Sequence, residues 1–274
     1  MNMTLKLIVA RFNEDISWLK EVKLNKIIYN KGANDIKPEQ FKKGTEDVEI
    51  INLQNVGRDP HTLLKYIELN YDMLPDAIIF LQGNPFDHVG NICKFFGDKF
   101  LDKPREALIH FLNMDIDFFE AKKDKLFGLS FYHSDQWYQK GVEAIYKELG
   151  IETLTFTTDN CKSVLPFFPD HGTNNLKNIY STGCQFYIPK KYILNKPIDF
   201  YKKMIAWIEI QNNEFVNLHI NQSWSKGHQI PLGEFTVLCY CLERVFLNFF
   251  YYDINEKKDT ANGMVEDLDK LKIL

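Results

Sequence analysis

Arginine is scarce in this sequence of 274 residues, in which 33 residues are lysine or arginine but arginine occurs only at Arg11, Arg58, Arg105 and Arg244. Because lysine cannot reproduce the two parallel hydrogen bonds of a guanidinium, each arginine indicates a position that needs that geometry. The net charge of −4 and the pI near 6.0 leave no broad basic surface. We therefore expect neither nucleic acid nor an anionic membrane as a partner.

Several motifs are also missing. The five cysteines lack CxxC spacing, which argues against a zinc site or a disulfide framework and favours buried free thiols in a reducing compartment. The chain has no Walker motif, GxGxxG or GxSxG, so ATPases, NAD dehydrogenases and serine hydrolases gain no support. The first apolar run is too short for a signal peptide, and none reaches the ~18 residues of a membrane span. We expect a soluble, cytoplasmic protein without a transmembrane segment.

Short apolar runs alternate with helical patterns in the first ninety residues. A helix is predicted over 60–70, with Asp59 as its N-cap and Pro60 as its first residue. Strands separated in this way indicate a mostly parallel sheet flanked by helices, a Rossmann-like α/β fold. The four predicted strands cover residues 5–10, 25–30, 48–53 and 77–82.

The pattern of the remaining chain is less regular. Strands are predicted over 153–158 and 184–189, and the stretch 166–175 is expected to form a long loop. The carboxyl-terminal third is predicted to be helical. We expect a single domain over 1–274 that ends in a charged tail over 254–274. The helices predicted after the fourth strand cover residues 89–97, 140–149, 197–210 and 233–250.

Polar or glycine-containing residues follow each of the first four strands. Because the carboxyl ends of parallel strands share one edge, where ligands bind, we expect four loops to form one crevice. Ordinary turns explain the glycines but not Arg11 and Arg58, which are half of all the arginines. The candidate ligand-binding residues are Arg11, Asn13, Glu14, Asn30, Lys31, Asn55, Gly57, His61, Gln82, Gly83 and Asn84.

The third of these loops suits a phosphate. Gly57 lets the backbone approach a ligand closely, and the helix that follows begins with free N–H groups and a positive dipole end. Arg58 could bind the same phosphate through two hydrogen bonds. Asp59 is interpreted as a helix cap rather than a catalyst, and Asp15 as the cap of the short helix after the first strand.

Candidates for metal binding and proton transfer are fewer. Asp87 and His88 follow the fourth strand and are candidate ligands for Mg²⁺ or Mn²⁺, with a structural histidine as the alternative. Asp115 and Asp117 have DxD spacing but lie in an apolar stretch, and they are interpreted as solvent-exposed helix acids. Glu234, at the predicted start of the last helix, is the candidate catalytic base.

Several blocks of the sequence carry a resemblance to a known family. The residues from Val9 to Leu19 fit V-x-R-[YF]-N-E-D-x-x-W-L, and the later blocks fit Y-N-K-G, N-x-G-R-[ED]-x-H-T, F-L-Q-G-x-P-x-x-H, G-x-Q-F-x-[VI], F-Y-x-x-[LM]-x-x-W and a final E-R. The chain resembles, over nearly its whole length, an uncharacterised family, a domain of unknown function found in fungal, bacterial and viral proteins. The later blocks start at Tyr29, Asn55, Phe80, Gly183, Phe200 and Glu243.

More distantly, the layout is similar to glycosyltransferases of the GT-A type, which use nucleotide-diphosphate sugars. Those enzymes begin with a strand that ends in an R/Y-N-E-like block, their third strand often leads to N-x-G-R-D, as in rhamnan-synthesis-like proteins, and their fourth ends at a DxD metal site. This chain differs at the last step, because Gln82, Gly83 and Asn84 stand where acids are expected. The resemblance implies a GT-A-like fold with a nucleotide-binding half over 1–90 and a helical, acceptor-binding half over 91–253.

Together these observations predict a glycosyltransferase that moves a sugar from a nucleotide-diphosphate sugar to a glycan or other hydroxyl acceptor. Arg58 would neutralise the leaving group, and Glu234 would deprotonate the acceptor. Two alternatives stay open. One is a metal-dependent hydrolase that uses Asp87 and His88. The other is a non-catalytic carbohydrate-binding or assembly protein, suggested by surplus aromatic residues such as Trp137.

Overall fold

A computed structural model describes most of the first half of the chain and shorter segments after it. The predicted helix 140–149, the loop 166–175 and the charged tail lie outside the described residues. So does Glu234, the predicted catalytic base. The described residues are 3–89, 92–93, 96, 98–100, 102–129, 132–133, 155–156, 176–177, 179–180, 182–210, 242–243, 245–246 and 249–250.

Within the described part, six strands form one mixed sheet in the order β3-β2-β1-β4-β10-β5. The first four are parallel to one another, whereas β10 runs antiparallel to both β4 and β5. Two further pairs, β6 with β9 and β7 with β8, form small antiparallel sheets. The strands are β1 (Leu5–Arg11), β2 (Lys26–Asn30), β3 (Val48–Asn52), β4 (Ala77–Gln82), β5 (Phe127–Gly128), β6 (Tyr132–His133), β7 (Thr155–Phe156), β8 (Leu176–Lys177), β9 (Ile179–Tyr180) and β10 (Phe186–Pro189).

Helices flank this sheet, so the predicted α/β class with a mostly parallel sheet is confirmed. Short 3-10 helices cover Ser17–Glu21, Pro38–Phe41 and Tyr71–Met73. Positions between 242 and 250 are helical where they are described. None of the helices in the described residues is long and apolar enough to cross a membrane. The α-helices are α1 (Arg58–Asn70), α2 (Pro104–Leu112), α3 (Ile116–Glu120), α4 (Lys190–Leu194) and α5 (Ile198–Ile210).

The core lies on both faces of the sheet because successive strand residues point to opposite sides. On one face Ile8, Ile78 and Phe186 pack with residues of α1 and α5. On the other, Val9 and Tyr187 pack with residues of the first 3-10 helix, α2 and α3. Because β1, β2 and β4 are buried on both faces, they need continuous apolar sequence rather than alternation. This explains why short apolar runs located them correctly.

The start of α1 differs from the prediction. The helix begins at Arg58 rather than Pro60, and Gly57 occupies the N-cap position in a left-handed conformation. Asp59 therefore lies inside the first turn and makes no capping hydrogen bond to the helix. Its interpretation as the N-cap is wrong. Asp15, by contrast, accepts hydrogen bonds from the backbone N–H (2.9 Å) and hydroxyl (3.0 Å) of Ser17 at the start of its 3-10 helix.

Two other interpretations concern side chains away from the sheet edge. Asp115 and Asp117 are exposed at the start of α3, which confirms that they are solvent-exposed helix acids. The described cysteines Cys93 and Cys184 are buried and form no disulfide, in line with the expected free thiols.

Candidate functional site

A cleft of about 310 Å³ lies at the carboxyl edge of the parallel strands. Strand order reverses there, because β2 and β3 lie on one side of β1 and β4 lies on the other. Such a switch point is where open α/β sheets bind ligands. All four predicted loops contribute to the cleft, whose lining residues are Ala10, Arg11, Phe12, Glu14, Lys31, Asn55, Arg58, Asp59 and Gln82.

The register of the strands explains why these residues meet. Arg11 pairs with Asn30 across β1 and β2, and Asn30 pairs with Asn52 across β2 and β3. On the other side of β1, Ala10 pairs with Gln82 of β4. The four strands therefore end at nearly the same level of the sheet. The loops that follow neighbouring strands consequently start side by side.

Arg11 is buried and fixes the loop after β1. Its guanidinium donates hydrogen bonds to the carbonyl of Glu14 (3.1 Å) and to the side-chain oxygen of Asn30 (2.6 Å). The side chain of Glu14 turns back to accept a hydrogen bond from the N–H of Phe12 at 2.7 Å. Arg11 thus lines the cleft, and its hydrogen bonds to Glu14 and Asn30 hold the loop after β1 in place.

Asn30 and Gly32 are structural parts of the second loop. The Asn30 amide nitrogen donates to the carbonyls of Gly32 (3.3 Å) and Asn34 (3.2 Å) and to the side chain of Asn52 (3.1 Å). A Cβ on Gly32 would stand 1.4 Å from the carbonyl oxygen of Phe12, so only glycine fits there. The structure does not place Asn30 in the cleft lining.

Lys31 joins the second loop to the third. Its ammonium donates hydrogen bonds to the carbonyls of Val56 (2.7 Å) and Arg58 (2.5 Å). Between these carbonyls, Gly57 and Arg58 both have positive φ, 60° and 46°. Since arginine rarely adopts such a conformation, these contacts help hold it. The Arg58 side chain remains exposed at the cleft.

The start of α1 is also held from behind by α5. A Cβ on Gly57 would come within 2.5 Å of the His61 Cβ and 2.6 Å of the Ile208 Cγ2. The buried His61 contacts the carboxylate of Glu209 through Nε2 at 2.9 Å. Both Gly57 and His61 therefore position the cleft wall, and neither belongs to its lining.

Asp59 is a carboxyl group of the cleft whose pKa is raised. Burial raises its pKa from the ordinary 3.8 to about 6, although the positive charges of Arg58 and Lys31 act in the opposite direction. The charge of Glu14 adds to the rise. A group that titrates near neutral pH inside a cleft is a candidate for binding or proton transfer.

The fourth loop is braced against two other parts of the fold. A Cβ on Gly83 would lie 2.8 Å from a carboxylate oxygen of Glu14, so the Glu14 side chain would have to shift. The indole N–H of Trp18 donates to the Gly83 carbonyl at 3.0 Å, and the Gln82 amide donates to the Asn84 carbonyl at 2.6 Å. Gly83 and Asn84 thereby shape the loop, whereas Gln82 lines the cleft.

The family-like block at residues 183–185 supports this fourth loop. Gln185 donates to the carbonyl of Pro85 at 3.2 Å. The N–H of Gly183 donates to the buried carboxylate of Glu243 at 2.7 Å. This block and Glu243 therefore have structural roles beside the cleft.

The predicted metal ligands lie outside the cleft lining. Asp87 is exposed, and burial lowers the pKa of the half-buried His88 despite the opposing charge of Asp87. Across the described residues, no group of three or more histidine, cysteine, aspartate or glutamate side chains is placed to hold a metal ion. These residues thus do not assemble a metal centre by themselves, and Mg²⁺ or Mn²⁺ remains a prediction.

Five of the predicted binding residues, together with Arg58, which was predicted to neutralise the leaving group, therefore line the cleft. The five are Arg11, Glu14, Lys31, Asn55 and Gln82. Asn13 lines a neighbouring pocket of about 340 Å³ instead, which shares Arg11 and Glu14 with the cleft. Sequence reasoning missed Asp59 as a lining residue and gave Phe12 no role of its own. The available signal was that Phe12 follows β1 and that Asp59 follows the loop after β3. The interpretation of Asp59 as an N-cap left it out of the predicted binding residues.

Comparisons of the chain with models of known protein families and with curated proteins gave no match. We therefore infer function from the geometry and chemistry of the cleft.

Proposed function

We propose that this chain is a glycosyltransferase with a GT-A-like arrangement, and that it transfers a sugar from a nucleotide-diphosphate sugar to a hydroxyl acceptor. The observation that carries the proposal is the cleft at the strand-order switch, where the exposed Arg58 stands at the start of α1 beside Lys31. A guanidinium and a helix N-terminus at such a place favour a phosphate group.

The four loops divide the donor between them in this proposal. The loops after β1 and β2 hold the nucleoside, and Phe12, 47% exposed in the cleft, offers an apolar face to a ring. The loop after β3 holds the diphosphate through Arg58. The loop after β4 holds the donor sugar, with Gln82 as its cleft-lining member. Residues 91–253 supply the acceptor side.

Transfer would proceed by direct displacement at the sugar carbon. The acceptor hydroxyl forms the new bond while the bond to the diphosphate oxygen breaks, and Arg58 stabilises the charge that develops on the leaving diphosphate. Glu234 stays the proposed base for the acceptor proton, on sequence grounds.

A thermal-shift screen tests the proposal. The protein is heated with UDP-, GDP-, CMP- and dTDP-sugars, each with and without Mn²⁺. A ligand at about 100 times its Kd stabilises the fold by about 2.7 kcal/mol, which raises the Tm of a protein of this size by several degrees. We expect a rise with one nucleotide class. A flat screen with folded protein would favour the hydrolase or the carbohydrate-binding alternative.

Arg58→Lys provides the specific test of the phosphate role. Because lysine keeps the charge of this exposed side chain, Tm without ligand should change little. The ligand concentration that gives half of the Tm rise should increase at least about tenfold, and kcat/KM should fall at least about tenfold, because lysine cannot form two parallel hydrogen bonds to the phosphate. Arg105→Lys is the matched control, because Arg105 pairs with Glu21 on the surface and does not line the cleft. Equal losses in both variants would contradict a phosphate role for Arg58.

A further inference from the structure

Two carboxyl groups line a cleft that we propose to hold an anion. Glu14 and Asp59 face it together with the cations Arg11, Lys31 and Arg58. The Glu14 carboxylate has a partner, the backbone N–H of Phe12. Among the described residues, no group donates a hydrogen bond to the Asp59 carboxylate, and only burial and nearby charges act on it.

Other carboxylates of this protein show what an ionised group requires. Asp15 receives two hydrogen bonds from Ser17, and Asp76 receives two from Thr4. Their pKa values are lowered mainly by these bonds. Asp59 has no such donors among the described residues and lies in a more desolvated place, so its pKa moves the other way, to about 6.

A bound diphosphate makes ionised Asp59 still less favourable. Like charges close together disfavour the charged form of a carboxyl group, and an ionised carboxylate can only accept hydrogen bonds, as can a phosphate oxygen. Protonation removes both conflicts, because the neutral carboxyl has an O–H to donate. The charges that face Asp59 are those of Arg58 on α1, Lys31 after β2 and Glu14 after β1.

We propose that Asp59 takes up a proton from solvent when a diphosphate enters the cleft, and that its protonated carboxyl donates a hydrogen bond to a phosphate oxygen. This inference rests on the proposed phosphate site and assigns Asp59 as a binding residue of that site. No covalent bond changes in this step. One proton moves from water to a carboxylate oxygen of Asp59 for each diphosphate bound.

The consequence is an affinity that depends on pH through one residue. In wild type, the apparent affinity for diphosphate is proportional to the fraction of molecules in which Asp59 is protonated. This fraction falls about tenfold per pH unit above the pKa of Asp59. Asp59→Asn carries a permanent amide donor of the same size and no charge. The variant should therefore bind diphosphate more tightly than wild type, by up to about tenfold at pH 7 and about a hundredfold at pH 8.

Isothermal titration with inorganic pyrophosphate tests this, in pairs of buffers with different ionisation heats and with or without Mg²⁺. Protonation of pyrophosphate itself is common to both proteins, so the difference between wild type and Asp59→Asn reports Asp59. We expect wild type to take up about one proton more than the variant between pH 7 and 8. Asp72→Asn, which removes an exposed carboxylate outside the cleft, should behave like wild type.

The outcomes separate this inference from the proposed function. The inference is overturned if wild type and Asp59→Asn take up the same number of protons on binding and their affinities change equally with pH, even if nucleotide sugars bind. Binding only with Mg²⁺ and without extra proton uptake overturns it as well, as does a failure of pyrophosphate to bind. Extra uptake with pyrophosphate, while every nucleotide sugar fails in the thermal screen, supports the inference and contradicts the glycosyltransferase proposal.

Discussion

Burial of the Asp59 carboxyl makes its ionised form unfavourable in the folded protein. Its pKa is near its ordinary 3.8 in the unfolded chain and about 6 when folded, so the folded state binds the proton more tightly. The stability that this proton provides is present below about pH 4 and is lost as pH rises to about 6. At pH 7 an ionised Asp59 therefore destabilises the fold.

Asp59→Asn should raise the free energy of unfolding at pH 7 by roughly 1–3 kcal/mol. At pH 4 the variant and wild type should differ little, because both carry a neutral side chain in the folded state. Urea denaturation at the two pH values measures this. An equal or lower stability of the variant at pH 7 would show that a partner stabilises the ionised Asp59 carboxylate.

Residue roles were predictable from the sequence where position after a strand decided them. Arg58 and Lys31 were placed in the crevice for that reason, and both line it. The hydrogen bonds that the Lys31 ammonium donates to two backbone carbonyls were not predictable from the sequence, because they depend on the left-handed turn at residues 57–58. Because of the same turn, α1 begins two residues before the predicted start, and Asp59 lies in its first turn rather than at the N-cap.

At the scale of elements, the position of α1 depends on one glycine. Gly57 has φ of 60° and packs against His61 and Ile208, so α1 and α5 meet where a side chain would not fit. His61 and Glu209 join the same two helices at 2.9 Å. The amino-terminal end of α1, where we propose that a phosphate binds, is thus fixed by contact with α5.

Gly57→Ala should destabilise the protein by about 2–5 kcal/mol, since the left-handed conformation costs about 1–2 kcal/mol for alanine and the overpacking about 1–3 kcal/mol. Ligand-induced stabilisation should weaken in the same variant, because α1 and Arg58 must shift. Urea denaturation and the thermal screen measure the two effects. Gly44→Ala, where a Cβ would meet only a side-chain oxygen of Glu46 at 3.1 Å, is the control and should cost much less.

Elements were predictable in the parallel part of the sheet and less so beyond it. The runs 5–10, 25–30, 48–53 and 77–82 match β1 to β4 within a residue at each end. Three of these strands, β1, β2 and β4, are buried, and buried strands need continuous apolar sequence. β10 was predicted two residues too long. Its partner β5, only two residues long, has no pattern of its own, since long-range pairing rather than local preference makes it a strand.

At the scale of the whole molecule, β10 connects the cleft-bearing strands to the rest of the described fold. It pairs with β4 on one side and β5 on the other. Tyr187 of this strand is fully buried and stacks on Phe127, with ring centroids 4.7 Å apart, and on Phe119 of α3 at 5.9 Å. Because β4 also borders the cleft, the antiparallel part and the proposed ligand site share one strand.

This sharing predicts that the parallel and antiparallel parts unfold together. Tyr187→Ala removes a stacked ring from the core and should cost about 3–5 kcal/mol. Tyr187→Phe keeps the ring and loses one long hydrogen bond to the Phe119 carbonyl, 3.3 Å, so it should cost about 1 kcal/mol or less.

Hydrogen exchange at increasing urea measures the opening of β1 and β10 separately. In Tyr187→Ala we expect the protection of both strands to fall by the same free energy, because Tyr187 and residues of β1 and β4 pack in the same cluster on one face of the sheet. If β10 alone lost protection while β1 kept it, the cleft-bearing strands would form an independent unit, and the predicted single domain would be wrong.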